Sequence, residues 1–247
     1  MRMKVLLVGG SPEQCSADLL CRIADQADKV VAVDRGLDML LASGIAVDLF
    51  CGDADSVGED GRRLVNGIGS SSDPLALLEV ERYNPHKDFT DLDLALKAIE
   101  TRWGLVHIIA TCLEGGLPDH FLAVMGRLMN WKGSVELIHD GRRGRILKAG
   151  QAWSLGGHQG ARFSFIPLSD TCEVSEHRMR WELDHKQATM LSDLGISNEL
   201  DYPDGSITCH KGTIVAWVFP RLACRSHLQI ETIIPRLLFE YTCRGIY

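Results

Sequence analysis

The chain has 247 residues, 45% of them hydrophobic and 24% charged, enough apolar side chain for a sizeable core and unlike a disordered or fibrous protein. Lysine and arginine number 26 against 33 acidic residues, and a net charge of -7 without a basic block argues against an electrostatic grip on nucleic acid. The longest wholly apolar runs, such as Val5 to Val8, are a few residues, whereas a membrane span needs about 20 and a signal-peptide core about 7–15, so a soluble, cytoplasmic protein is expected.

The first half alternates β-branched apolar runs with helical patterns. A strand over Lys4 to Val8 runs into Gly9-Gly10-Ser11; Leu19, Leu20, Ile23, Ala24 and Ala27 then follow helical spacing, and Lys29 to Val33 reads as a second buried strand. A short helix from Leu37 to Ala42 ends at Gly44, and Asp48 to Cys51 leads into Gly52-Asp-Ala-Asp-Ser56. Further strands are predicted over Ala76–Arg82, Val106–Thr111 and Val135–His139, with helices after Thr90 and from about Asp119 to Asn130. This alternation implies an α/β fold with a Rossmann-like parallel sheet between helices, over residues 1–140.

Beyond Asp140 the texture changes to short β-type segments around Arg145–Ala149, Ala161–Ile166, Arg178–Leu183, Ser206–His210 and Ile214–Val218, separated by turn residues. They predict a smaller all-β sandwich over 141–220, with Asp140-Gly-Arg-Arg-Gly-Arg145 as hinge and a tail over 221–247 without clear strand continuation. The eight cysteines show no CxxC pair and no dense framework, which favours reduced thiols and gives structural zinc no support.

Three acidic clusters follow predicted strands, at the carboxyl edge where open α/β sheets bind ligands. Asp34 closes the second strand, and Asp53 and Asp55 close the third. Two carboxylates on one turn offer hard oxygens to Mg²⁺, although the same residues also suit a surface turn that caps the next helix. In Lys87-Asp-Phe-Thr-Asp-Leu-Asp93, Thr90 and Asp93 make a capping-box-like helix start, and Lys87 beside a helix N-terminus makes a phosphate site. Asp88 and Asp91 exceed what capping needs. The third cluster, Glu114-Gly-Gly-Leu-Pro-Asp-His120, has glycines that permit close backbone approach and Pro118 with Asp119 at a helix start.

Taken in order, Gly52-Asp-Ala-Asp-Ser56, Lys87-Asp-Phe-Thr-Asp91, Gly115-Gly116 with Asp119-His120, and Gly195-Ile-Ser-Asn-Glu199 resemble the motifs of thiamine diphosphokinases. The resemblance spans about Lys4 to Val218 and implies a homodimer that uses Mg²⁺ to move the diphosphate of ATP onto the thiamine hydroxyl, releasing AMP. It makes Asp53, Asp55 and Asp91 the catalytic, metal-holding carboxylates. Asp34, Lys87, Asp88, Thr90, Asp119 and His120 fall on the ATP and phosphate side. Trp181 matches a position where an aromatic ring stacks on thiamine, and Ser197 and Asn198 match its polar contacts, at a site shared between subunits.

Two positions depart from the family pattern: Arg35 stands where the family usually has glycine after the aspartate, and Leu117 where it usually has arginine. Leucine cannot imitate a fork-shaped donor, and Arg35 could compensate from across the cleft. Three alternatives stand beside this reading: a weakly active nucleotide- or thiamine-binding homologue, a pterin-alcohol diphosphokinase, and a haloacid-dehalogenase-like phosphatase with Asp53 as nucleophile.

Overall fold

The computed structural model describes residues 2–67, 78–82 and 90–219. In chain order it contains β1 (Lys4–Val8), α1 (Ala17–Ala24), β2 (Lys29–Val33), α2 (Gly36–Ala42), β3 (Leu49–Gly52), α3 (Glu59–Val65), β4 (Glu79–Arg82), α4 (Asp91–Trp103), β5 (His107–Thr111), α5 (Pro118–Asn130) and β6 (Ser134–His139). There follow β7 (Arg142–Lys148), β8 (Gln151–Ser154), β9 (Arg162–Pro167), β10 (Thr171–His177), β11 (Leu183–Thr189), β12 (Asn198–Glu199), β13 (Ser206–Lys211) and β14 (Thr213–Phe219).

The strands of the first half form a parallel array in the order β6-β5-β1-β2-β3-β4. These runs are apolar on both faces because both are covered. Val5, Leu7, Val31 and Val33 pack with α4 and α5, whereas Leu6, Val8, Val30 and Ala32 pack with residues of α1, α2 and α3. The helix starts follow local chemistry: Ser16 accepts from the Leu19 N–H and Thr90 from the Asp93 N–H, each at 3.3 Å, and Pro118 occupies the first turn of α5.

The same sheet continues antiparallel through β7, β14, β9 and β12, making ten strands in all. A second antiparallel sheet, β11-β10-β13-β8, closes over that extension around Trp153, Phe163, Phe165, Val174, Leu200, Ile207 and Val218. The family of folds expected from the sequence, an α/β parallel sheet followed by a β-sandwich, is therefore present. Its two halves share one continuous sheet.

Several local expectations change. The Asp140–Arg145 stretch is not a hinge but a tight hairpin, in which Gly141 takes φ +72° and β7 begins at Arg142 against β6. Residues 178–182 form a turn rather than a strand, because Arg178 adopts φ +62° and Met179 makes only an isolated bridge to Leu200. The adjacent strands β10 and β11 were not anticipated: in Leu183–Thr189 only Ala188 is buried, so the strand carries no apolar alternation. Likewise α3, with glycine and four charged residues in seven, gives no amphipathic signal. Lys87, Asp88, residues 76–77 of the fourth expected strand, and the tail 221–247 lie outside the described residues.

Candidate functional site

The chain runs outward from β1 through β2, β3 and β4 and then returns to place β5 on the other side of β1. At such a reversal the loops leaving two neighbouring strands diverge and open a crevice at their carboxyl ends. Here a cleft of about 720 Å³ lies at that place, bounded by Gly10–Pro12 after β1, Asp34 and Arg35 after β2, Thr90 and Asp91 at the start of α4, and Cys112, Leu113 and Gly115–Leu117 after β5. One face of α5 completes the wall with His120, Ala123, Val124 and Arg127, a spacing that follows the helical period.

The walls are clasped together across the reversal. Ser11 donates its hydroxyl to the Glu114 carbonyl, linking the loops after β1 and β5. Arg142 of β7 bonds Glu114 through Nε at 2.6 Å and reaches Glu13 through Nη2 at 3.2 Å, so it ties both loops to the hairpin. Arg142 and Glu13 each gain from the pair, with Arg142 holding the Glu13 carboxyl below its ordinary range. In the same wall the sulfurs of Cys15 and Cys112 lie 3.4 Å apart, and the Cys15 N–H also points at Cys112 Sγ. Hydrogen bonding with Cys15 holds the Cys112 thiol down at about 7 against the effect of burial, while the same contact and burial push the Cys15 thiol up.

Asp34 is placed by strain and by close packing. Its φ is +48°, its N–H donates to the Cys51 carbonyl at 3.1 Å, and a Cβ at Gly52 would stand 2.1 Å from its Oδ1. The acidic turn after β3 carries Asp53 and Asp55, with the Asp55 N–H donating to Asp53 Oδ1 at 3.0 Å. Hydrogen bonding and repulsion from Asp53 raise the Asp55 carboxyl, and Asp91 adds to the same effect. The far end of this turn is anchored by Asp38 of α2, whose two carboxylate oxygens each accept from the Gly58 N–H at 3.0 Å.

Of the residues singled out in the sequence, Asp34, Thr90, Asp91 and His120 line the cleft. Asp53 and Asp55 are not among the lining residues; they lie on the turn after β3 just before Ser56, which is, and Asp55 is within electrostatic reach of Asp91. Asp119 is in the first turn of α5, exposed, and not among the lining residues. Arg35 lines the cleft beside Gly10, and Leu117 is 61% exposed at its edge. Sequence reasoning passed over Asp38, Arg127 and Arg142. Only Arg127 left a signal, seven residues after His120 on one helix face, and it is ion-paired with Asp93 at 3.2 Å.

Whether Mg²⁺ fits is answered by the donor set. Among the described residues no three His, Cys, Asp or Glu side chains converge closely enough to hold a metal ion unaided. Mg²⁺ commonly takes one or two carboxylates and completes its shell with phosphate oxygens and water. The mutual repulsion that Asp55 feels from Asp53 and Asp91 is what a divalent cation relieves, so the residues fit.

A second group lies in the sandwich. Trp181 is 59% exposed on the turn between β10 and β11, and Arg180 lies 5.8 Å from its ring centroid. Ser197 is exposed with φ +64°, and its N–H donates to Ser164 Oγ at 3.0 Å. Asn198, by contrast, is buried and spends its amide internally. Its Oδ1 accepts from the N–H of Trp181 at 3.2 Å and of Glu199 at 2.8 Å, and its Nδ2 donates to the Trp181 carbonyl and to Glu176 Oε2, both at 2.8 Å. It holds the Trp181 backbone instead of facing outward. None of these three residues is among those lining the cleft.

Comparison with known proteins agrees with both regions. Residues 20–138 match the family described as "Thiamin pyrophosphokinase, catalytic domain", and residues 155–214 match "Thiamin pyrophosphokinase, vitamin B1 binding domain". The thiamine pyrophosphokinase of Bacillus subtilis (strain 168) is 30% identical over 217 residues, covering 85% of this chain and 95% of that protein. A crystal structure of thiamine pyrophosphokinase from Bacillus subtilis matches with TM-score 0.72 at 27% identity, over 89% of this chain and 100% of that one. Thiamin pyrophosphokinase from Candida albicans shares the fold, with TM-score 0.71 at 16% identity over 88% and 90% of the two chains.

Proposed function

The chain belongs to the thiamine pyrophosphokinase family, and we propose that it transfers the diphosphate of ATP to the hydroxyl of thiamine, giving thiamine diphosphate and AMP. The observation that carries this reading is the cleft at the reversal between β1 and β5, with Asp34 and Asp91 in its lining and Asp53 and Asp55 on the turn that leads to its lining residue Ser56.

The thiamine oxygen forms a bond to the β-phosphorus as the bond from that phosphorus to the α,β-bridging oxygen breaks, and AMP leaves with the electron pair. Such a transfer demands alignment and charge neutralisation more than covalent participation by the protein. Asp53, Asp55 and Asp91 would hold Mg²⁺, which when bound supplies positive charge to the polyphosphate. One of the three accepts the hydroxyl proton. Asp34, Thr90, His120 and Asp119 belong to the nucleotide side, together with Lys87 and Asp88, and Arg35 offers the guanidinium that Leu117 does not. Val124, Leu113 and Leu92 give the cleft an apolar wall.

Residues 1–140 serve on this reading as the ATP- and Mg²⁺-binding catalytic domain, and 141–220 as the thiamine-binding and dimerisation domain of a cytoplasmic enzyme. Trp181, Ser197 and Asn198 form the thiamine side, Asn198 by holding Trp181. A homodimer in which one subunit's Trp181 turn faces its partner's cleft accounts for the absence of this group from the cleft lining.

The test incubates the purified protein with thiamine, ATP and Mg²⁺ and follows thiamine diphosphate and AMP together, with Asp53→Asn and Asp91→Asn as controls. Equal appearance of the two products, lost in both variants, is expected. Inorganic phosphate without AMP would point to a phosphatase, and no product from folded dimer to a binding protein. Arg35→Gly with unchanged turnover and ATP affinity would refute the compensating role of Arg35.

A further inference from the structure

We infer that Glu176 is a positioning residue for the exposed indole of Trp181, acting through the buried amide of Asn198, and that it thereby sets the affinity for thiamine; this rests on the thiamine side proposed above. Glu176 lies on β10 with 1% of its surface exposed. Its neighbour Ser175 points the opposite way, bonding His210 Nε2 at 2.8 Å and accepting from the His185 N–H at 3.0 Å. The Glu176 side chain instead meets Asn198 of β12, with 2.8 Å between its Oε2 and Asn198 Nδ2.

That bond is one of four that together decide which way the amide faces. An asparagine amide presents one double acceptor and two donors, and all of this capacity is used here. Flipping the group would turn its NH₂ toward the N–H groups of Trp181 and Glu199 and its carbonyl toward Glu176 and the Trp181 carbonyl. Donor would then face donor, and acceptor would face acceptor. The Trp181 carbonyl supplies one of the two acceptors that fix the orientation, and Glu176 supplies the other. Once fixed, the amide grips both polar groups of the Trp181 backbone, in a turn whose start takes φ +62° at Arg178.

A purely structural role explains Glu176 less well. The position is surrounded by the sandwich core, which includes Val174, Met179, Leu200 and Ile207, and an apolar side chain would suit it. Among the described residues Glu176 Oε1 has no hydrogen-bond partner, a cost that stability alone would remove. Groups kept at the expense of stability are characteristic of sites that must hold a particular geometry. The pair buried here holds an indole that is itself 59% exposed.

The experiment measures kcat and both KM values for the wild type, Glu176→Gln, Glu176→Leu, Trp181→Ala and the double variant Glu176→Leu/Trp181→Ala, with thermal melts as the control for folding. Glutamine keeps an acceptor for Asn198, so Glu176→Gln is expected within twofold of the wild type in KM for thiamine. Glu176→Leu is expected to raise that KM at least fivefold, leaving kcat and the KM for ATP within twofold. Because both changes act through the same ring, the double variant should be no worse than Trp181→Ala. A folded Glu176→Leu with unchanged KM for thiamine, or a double variant in which the two effects multiply, would overturn the inference. Should leucine prevent folding, Glu176→Met is read in its place, and failure of both to fold would also overturn it by making the acceptor a requirement of the fold. A wild type that forms no thiamine diphosphate would instead defeat the proposed function, and an unaltered KM in Trp181→Ala the placement of thiamine at that ring.

Discussion

Replacing Glu176 by glutamine should change how stability depends on pH, in a direction opposite to that of ion-paired carboxylates such as Glu136. Burial pushes the Glu176 carboxyl up to about 7 from an ordinary 4.5, and donation from Asn198 offsets this only in part. Between those two values the native protein holds a proton that the unfolded chain has released, so stability falls as pH rises through the window and is level above it. The full effect is about 3 kcal/mol, of which about 2 kcal/mol falls between pH 5.5 and 8. Glutamine cannot ionise and also buries an amide without a full set of partners, but that second cost does not depend on pH. The difference in unfolding free energy, variant minus wild type, should therefore rise by about 2 kcal/mol from pH 5.5 to 8. Urea titrations followed by circular dichroism at several pH values measure it. Other groups with displaced ionisation, such as His158, Cys112 and His185, are common to both proteins and cancel in the difference. Glu136 does not enter this window: burial pushes its carboxyl up, but His107, Arg143 and Arg145 hold it down at about 2. Parallel stability curves for variant and wild type would refute the reasoning.

At Gly52 an added Cβ would stand 2.1 Å from Asp34 Oδ1 on a backbone with φ +155°. Gly52→Ala should cost about 1–3 kcal/mol of stability and lower kcat/KM at least tenfold, as read by thermal melts and steady-state kinetics. Asp38→Ala removes both acceptors of the Gly58 N–H, at a cost of about 1 kcal/mol, and loosens the turn bearing Asp53 and Asp55. The Mg²⁺ concentration giving half-maximal activity should rise severalfold, and an unchanged value would detach Asp38 from the site. The Cys112 thiol, held at about 7 by Cys15, should react with iodoacetamide at pH 8 before Cys209, which burial pushes up to about 12. Peptide mass spectrometry reads the order, and ATP should slow labelling of Cys112 because that residue lines the cleft.

The covered parallel strands were legible because burial on both faces leaves uninterrupted β-branched runs, as in Lys4–Val8 and Lys29–Val33, and capping chemistry marked the starts of α4 and α5. The ordered motifs that identify the family were equally readable, since each is a short contiguous run of sequence. What lay hidden was whatever depends on contact between distant segments. The turn at 178–182 exists because a positive φ at Arg178 breaks the extended run, and β11 forms by pairing with β10 despite an exposed, polar side-chain pattern. The family resemblance made Asn198 a polar contact to thiamine, but the structure commits its amide to Trp181, Glu199 and Glu176. Asp38 reaches Gly58 across 20 residues, and Arg142 reaches Glu13 across 129. By itself the sequence determined local conformation and the kinds of chemistry available, because propensity, capping and motif spacing act over a few residues. Only the tertiary structure decided which polar groups meet and which charges are buried, because those energies depend on distances that the chain order does not encode.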